Sequence, residues 1–217
     1  MEEWGAERVG DLVGLCAAAL PAEGLTAAEL DVCWWDGGGA VLATAAGDGA
    51  VAVVARGTVG HVRLVAVAPA AQRRGVGRTL LDGAHGWLRE AGCTEVVAGG
   101  EAPFYLWPGV DAAAEPAHRL FEGAGYRAGD FDWVNMAYPT SFRATPPAGI
   151  DIRRADRDNG GDAVAQFVGR HFPEWTPEVD RSLAAGACFA ATGEASEVVG
   201  FVCHSVVRTG WLGPMGT

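Results

Sequence analysis

Apolar and polar positions change period several times along this chain, and each change marks an element. "DLVGLCAAAL" (11–20) carries apolar residues at helical spacing and stops at Pro21, so a helix is expected there. "TAAELDVCWW" (26–35) opens on Thr26 with Glu29 three residues later, a capping box that predicts a second helix. "AVLATAAG" (40–47) and "GAVAVVARGTVG" (49–60) are β-rich runs split by Gly47-Asp48-Gly49, a hairpin signal. "HVRLVAVAP" (61–69) reads as a third strand closed by Pro69. Helical spacing returns at Val76, Leu80, Leu81, Ala84 and Leu88 and ends at Gly92. "TEVVAGG" (94–100) is a strand, and "EPAHRLFEGAGY" (115–126) is a helix with Pro116 in its first turn. "DFDWVNMAYP" (130–139) is a last strand, so the predicted order is α-α-β-β-β-α-β-α-β.

A polar, proline-rich stretch, "PTSFRATPPAG" (139–149), predicts a linker, and a similar order then restarts. "IDIRRAD" (150–156) reads as a strand, "GDAVAQFVGRHF" (161–172) and "PEVDRSLAAG" (177–186) as helices. "ACFAATG" (187–193), "EVVGFVCHSVV" (197–207) and "GWLGPMGT" (210–217) read as strands. This is a repeat of element order, not of sequence. The second copy runs only to its third strand and carries no glycine loop, so it is expected to bind no cofactor and to leave a strand edge unpaired.

Composition narrows the function classes. The 217 residues suffice for one large domain or two small ones. The net charge is −11, of which −9 falls in residues 1–140, so no broad basic face exists for nucleic acid. All sixteen cations are arginine, which excludes a lysine nucleophile or Schiff base. The five cysteines, Cys16, Cys33, Cys93, Cys188 and Cys203, form no C-x-x-C pair and read as buried free thiols in a reducing cytoplasm. "MEEWGAERVG" lacks the basic start of a signal peptide, and no run reaches the roughly 18 apolar residues of a membrane span. His85, His118, His171 and His204 show no metal-ligand spacing.

Against that acidic background, "APAAQRRGVGRTLLDG" (68–83) puts three arginines within Arg73–Arg78, around Gly75 and Gly77. A strand ends at Pro69, a glycine loop follows and a helix opens near Val76. Unpaired N–H groups and the helix dipole there form an anion site, and the glycines remove the Cβ atoms that would hold a phosphate off the backbone. The same stretch also reads as a strand–helix turn with solvated arginines.

Gln72-Arg73-Arg74-Gly75-Val76-Gly77 resembles the Q/R-x-x-G-x-G/A signature of the GNAT superfamily, the acetyl-CoA-dependent N-acetyltransferases. "AHRLFEGAGY" (117–126) is similar to that family's second motif, A-x-x-L-Y-x-x-x-G-F. The resemblance spans nearly all of residues 1–138, and 150–217 resemble the first half of another such domain, as in tandem GNAT proteins. It implies an α/β (α+β) GNAT fold: a mixed twisted sheet with a splayed fourth and fifth strand pair, flanked by helices. Its domains would be 1–138, a linker 139–149 and a partial second domain 150–217.

By the same resemblance, the strand edge at Val65, Ala66 and Val67 would pair with the pantetheine amides. Gln72, Arg73, Arg74, Gly75, Val76, Gly77 and Arg78 would wrap the pyrophosphate, with Thr79 adding a hydroxyl. The family's acid tyrosine falls at Phe121, which lines the cofactor but donates no proton; Tyr126 reads as a core residue at the helix exit or else as a substitute acid, and Tyr105 is not at that position. Glu101, just past the splayed strand, is the candidate base, and it also reads as a solvated loop acid. His61, on the neighbouring strand, is a second candidate base and also reads as a strand-edge polar residue. Trp34, Trp35 and Trp107 either wall an acceptor cleft or pack in the core. The implied function is acetyl transfer from acetyl-CoA to a small amine by direct attack, in the cytoplasm, without metal, nucleic acid or membrane. A homodimer is left open. The rival is a catalytically weak or inactive acyl-CoA-binding module.

Overall fold

The computed structural model describes residues 1–101, 106–107, 109–129 and 145–204, with only the backbone of Trp35, Asp36, Gly37 and Glu174. The strands expected at 130–139 and 210–217, Tyr105, and most of the linker lie outside the described residues. The chain divides into two units, the described part of the first within 1–129 and of the second within 145–204.

In the first unit, mostly apolar runs build a five-stranded sheet in the order β1(Glu2–Trp4), β2(Gly39–Ala43), β3(Gly49–Arg56), β4(Val59–Val67), β5(Glu95–Ala98). The first four strands are antiparallel, and β5 is parallel to β4. β1 was not expected: three residues, two of them acidic, carry too little pattern to read. The run 49–60 is two strands rather than one. Gly57, at φ +59, turns the chain so that Arg56 pairs with Val59.

Helix α3(Val76–Glu90) buries Leu80, Leu81, Ala84 and Leu88 on one sheet face, against Val51, Val53 and Val62. Each of the three leucines contributes about 1.5–3 kcal/mol. Gly60 makes room for it, since a Cβ there would lie 2.8 Å from Leu88. The helix stops at Gly92, whose φ of +88 lets Cys93 donate back to the Leu88 carbonyl (3.0 Å). Helix α4(Glu115–Gly123) joins this face through Leu120 and Phe121. Helix α1(Val9–Ala19) packs against β3 and β4 with Leu12, Leu15 and Cys16 buried.

The helix expected over 26–35 is α only at α2(Ala27–Leu30), and continues as a 3-10 helix over Asp31–Gly37. The capping box does form: the Glu29 carboxylate accepts from the Thr26 N–H (2.8 Å) and hydroxyl (2.7 Å). Beyond Leu30 the β-branched and aromatic residues hold an α-helix poorly. The Val32 carbonyl is also taken by Arg63, and Trp34 donates to the Trp4 carbonyl (2.6 Å).

The second unit orders its strands β6(Asp151–Ala155), β7(Cys188–Thr192), β8(Val198–Cys203), all antiparallel. Helices α5(Gly161–His171) and α6(Thr176–Ala184) lie between β6 and β7 in sequence and bury Val164, Val168, Val179 and Leu183 against Cys188 and Ala190. The order β-α-α-β-β is that of β1 to β3 in the first unit.

Candidate active site

Strand β4 is paired to β3 along its length but to β5 only from Val59 to Val62, where the ladder ends with the Gly99 N–H on the Val62 carbonyl (3.0 Å). Gly99 and Gly100, at φ +72 and +64, then turn the chain out of the sheet. Among the described residues, Arg63–Val67 have no strand beside them on the β5 side.

A β-bulge sits at the mouth of the gap. Ala52 pairs with Leu64 and Val53 with Val62, so Arg63 is the extra residue. Past the bulge, the Ala68 N–H donates to the Asp48 carbonyl (2.8 Å). Strand alternation then turns the peptide groups of Ala66 toward β3 and those of Val65 and Val67 toward the gap. This corrects the sequence expectation for Ala66. The open edge is Val65 and Val67, and the Val67 carbonyl already accepts from Gln72 Nε2 (3.0 Å). Gln72 therefore ties the following loop to the strand rather than extending a free amide.

That loop ends in α3. The first helical bond is the Thr79 N–H on the Gly75 carbonyl (3.0 Å), which the Thr79 hydroxyl also approaches (3.3 Å). The six N–H groups from Arg73 to Arg78 donate to no acceptor among the described residues. Arg73 (φ +60) and Gly75 (φ +85) are left-handed, which turns successive amides into a concave nest. For Arg73 that conformation costs about 1–2 kcal/mol, the kind of strain that collects at ligand sites. Gly77 serves packing: a Cβ there would lie 3.1 Å from Leu120 of α4. The side chains of Arg73 and Arg74 are exposed and make no ion pair among the described residues. Arg78 is committed to Asp82 (3.0 Å) and to the Gly123 carbonyl, so it joins α3 to α4.

Glu101 is not a solvated loop acid. It is 3% exposed, and both its oxygens are held by guanidinium groups. Arg56 donates to Oε1 through Nε (3.0 Å) and Nη2 (2.8 Å). Arg63 reaches Oε2 through Nε and Oε1 through Nη2 (2.8 Å). Both carboxylate oxygens are thus already occupied by guanidinium donors. The sequence reading missed Arg56 and Arg63. The available signal was an arginine inside the apolar run "HVRLVAVA".

Beside this clamp, His61 has a buried Nδ1 with no hydrogen-bond partner among the described residues. Burial pushes its imidazole below the ordinary 6.5, outweighing the upward pull of Glu101 and of the Gly99 backbone; Arg56 and Arg63 push the same way as burial. On the opposite face, Tyr126 packs in the cluster around α3, with its hydroxyl on His85 Nε2 (2.8 Å). Burial pushes the Tyr126 phenol up to about 12. Phe121 meets the Tyr126 ring edge-on, centroids 5.1 Å apart. The structure thus gathers Val65, Val67 and Gln72 to Thr79 at the gap, but sets Glu101 and Tyr126 on opposite sheet faces. Burial pushes the thiols of Cys16 and Cys33 up to about 12. No cluster of His, Cys, Asp or Glu among the described residues is placed to hold a metal, and none of their helices is long and apolar enough to cross a membrane.

Residues 30–128, which carry the gap, the bulge and the amide nest, match the acetyltransferase (GNAT) domain family. This stretch is a GNAT acetyltransferase domain. Three solved structures superpose on 98% of the chain. One is the glucosamine N-acetyltransferase region of a fungal multi-domain GH3 β-N-acetylglucosaminidase, at 18% identity and TM-score 0.70. The second is a GCN5-related N-acetyltransferase from Sphaerobacter thermophilus, at 18% and 0.64. The third is a tandem GNAT protein from the clavulanic acid biosynthesis pathway, at 17% and 0.61. The chain covers 29%, 77% and 81% of these proteins respectively. At such identities the likeness is one of fold. No curated protein sequence matches the chain.

Proposed function

We propose that the GNAT domain transfers an acetyl group from acetyl-CoA to the amine of a small molecule. The observation that carries this reading is the run of six unanswered N–H groups at Arg73–Arg78, set beside the open edge of Val65 and Val67. Such an array fits a pyrophosphate: the amides and helix dipole supply donors, and Arg73 and Arg74 supply charge. The strand edge fits the amides of an extended pantetheine arm. Acetyl-CoA supplies an activated thioester, which the neutral amine attacks directly. The raised thiols of Cys16 and Cys33 support direct attack over an acyl-cysteine intermediate. Of the two candidate bases, His61 has the free ring nitrogen and Glu101 does not.

The second unit is expected to bind no CoA. At its own left-handed glycine before a helix, Gly160, the Asp156 carboxylate already accepts from the N–H groups of Asp158 (3.0 Å) and Asn159 (2.9 Å). Calorimetry with CoA should therefore give one site per chain. Gly75→Val, and separately the double Arg73→Glu/Arg74→Glu variant, should weaken CoA binding at least tenfold, about 1.4 kcal/mol. Unchanged affinity in both would place the cofactor elsewhere. Turnover against a panel of primary amines tests the transfer itself.

The rate should also depend on His61. Its lowered pKa leaves it neutral and able to accept a proton at pH 7, so kcat/KM is expected to fall in acid, below pH 6.5. His61→Gln should remove that acid limb while CoA affinity stays. An unaltered profile in the variant would rule His61 out as base. A second reading, a binding module with little or no turnover, is favoured by Phe121 at the family's acid position and by the engagement of the Tyr126 hydroxyl with His85.

A further inference from the structure

Two cysteines of the second unit face each other across its sheet. Cys188 of β7 is the direct cross-strand partner of Cys203 of β8. One step along, the His204 N–H donates to the Ala187 carbonyl (2.9 Å), which makes Ala187 and His204 a hydrogen-bonded pair. Cys188 and Cys203 are therefore a non-hydrogen-bonded pair, the kind that holds its Cα atoms about 4.5 Å apart with side chains close together. A disulfide spans Cα separations of roughly 4.4–6.8 Å. The strands thus already stand at bridging distance and the two thiols interact, while the Cys188 thiol also donates to the Phe189 carbonyl (3.8 Å).

The pair is also asymmetric. Cys188 is wholly buried against α5 and α6, whereas Cys203 is only partly buried on β8. Ser182 of α6 hydrogen-bonds Cys203, and Glu178 is the charged group that acts on it from the same helix. The hydrogen bond from Cys188, followed by that of Ser182, draws the Cys203 thiol below its ordinary range against the opposition of burial and Glu178. The same thiol–thiol bond and burial push Cys188 up. The accessible sulfur is the one that ionises more readily, and its neighbour is positioned to resolve it.

We propose that Cys188 and Cys203 form a reversible dithiol–disulfide site that reacts with hydroperoxides. The Cys203 thiolate attacks one peroxide oxygen. The O–O bond breaks, hydroxide leaves and takes up a proton, and Cys203 becomes a sulfenic acid. The Cys188 sulfur then attacks that of Cys203; the S–S bond forms and the S–O bond breaks. The departing hydroxide takes the Cys188 proton as water. Two thiols lose two electrons and two protons, and one hydrogen peroxide becomes two waters. Two equivalents of a small-molecule thiol reverse the bond by successive exchange, the first forming a mixed disulfide and the second releasing it as the small-molecule disulfide.

The test treats the reduced full chain with hydrogen peroxide, removes the peroxide, denatures the chain, alkylates free thiols with iodoacetamide and digests with a glutamate-specific protease. Glu194 and Glu197 lie between the two cysteines, so a bridge appears as a cross-linked peptide pair. The expected result is one Cys188–Cys203 link per chain, two hydrogens lighter than the separate peptides and lost on treatment with dithiothreitol. Alkylatable thiols fall from five to three. In Cys188→Ser, dimedone should trap a sulfenic acid on Cys203; in Cys203→Ser, Cys188 should stay alkylatable. Full alkylation of both cysteines in the peroxide-treated wild type overturns the proposal, as does a bridge from either to another cysteine. The wild-type map decides the matter even if a serine variant fails to fold.

Discussion

Glu101→Ala is expected to destabilise the first unit by about 3–5 kcal/mol, because it strands buried positive charge. Arg63 is 4% exposed and Glu101 3%, so water cannot replace the lost carboxylate at Arg63. Arg56 is less affected, since about a third of its side chain reaches solvent. The cost belongs to the broken set rather than to the ion pair as such. Exchanging both buried partners for apolar residues of similar volume, as in Arg63→Met with Glu101→Leu, should recover more than half of the loss. Urea denaturation followed by tryptophan fluorescence measures both. A loss under 1 kcal/mol for Glu101→Ala would mean that the clamp is solvated. The loss should reach the site as well. Glu101 ties the chain leaving β5 to the bulge residue Arg63, and so fixes where β5 parts from β4.

The parts of this arrangement that were legible in the sequence are local ones. The α3 stripe, its stop at Gly92 and the glycine loop before it depend on residues within a few positions of one another, and a short-range pattern records them. The Thr26–Glu29 box belongs to the same class. The clamp does not: Arg63 and Glu101 are 38 residues apart, and Arg56 and Glu101 are 45 apart. A contact over such separations leaves no periodic trace, only an arginine where an apolar residue was due. The same limit hid the face on which Tyr126 lies, since its partner His85 is 41 residues away on α3. The inward turn of Ala66 followed from a bulge that shifts alternation by one, and a bulge has no marker in "HVRLVAVA". The loss of α-helix after Leu30 is partly tertiary, for Arg63 takes the Val32 carbonyl in addition to the poor local propensity.

Phe121→Tyr is expected to raise kcat about a hundredfold. The reasoning starts from the leaving group. A thiol of pKa near 8.5 departs tolerably as its thiolate at neutral pH, so the proposed transfer would be slowed, not forbidden, without an acid at this position. General acid catalysis commonly contributes 10²–10⁴-fold, and an easy leaving group places the gain at the lower end, roughly 2.7 kcal/mol of barrier. Tyr126 does not fill the role in its present place, since its hydroxyl is engaged with His85 and burial pushes it up to about 12. Phe121 is half-buried beside Tyr126. The KM for acetyl-CoA should change little, because the new hydroxyl acts in the transition state rather than on the bound cofactor. If wild type turns over rapidly and Phe121→Tyr changes nothing, the acid lies elsewhere and the match of α4 to the family's second motif is out of register. If neither protein acetylates any amine while both bind CoA, the domain is a binding module. An acetyl group trapped on any cysteine and found by mass spectrometry would refute direct attack, whatever the rate.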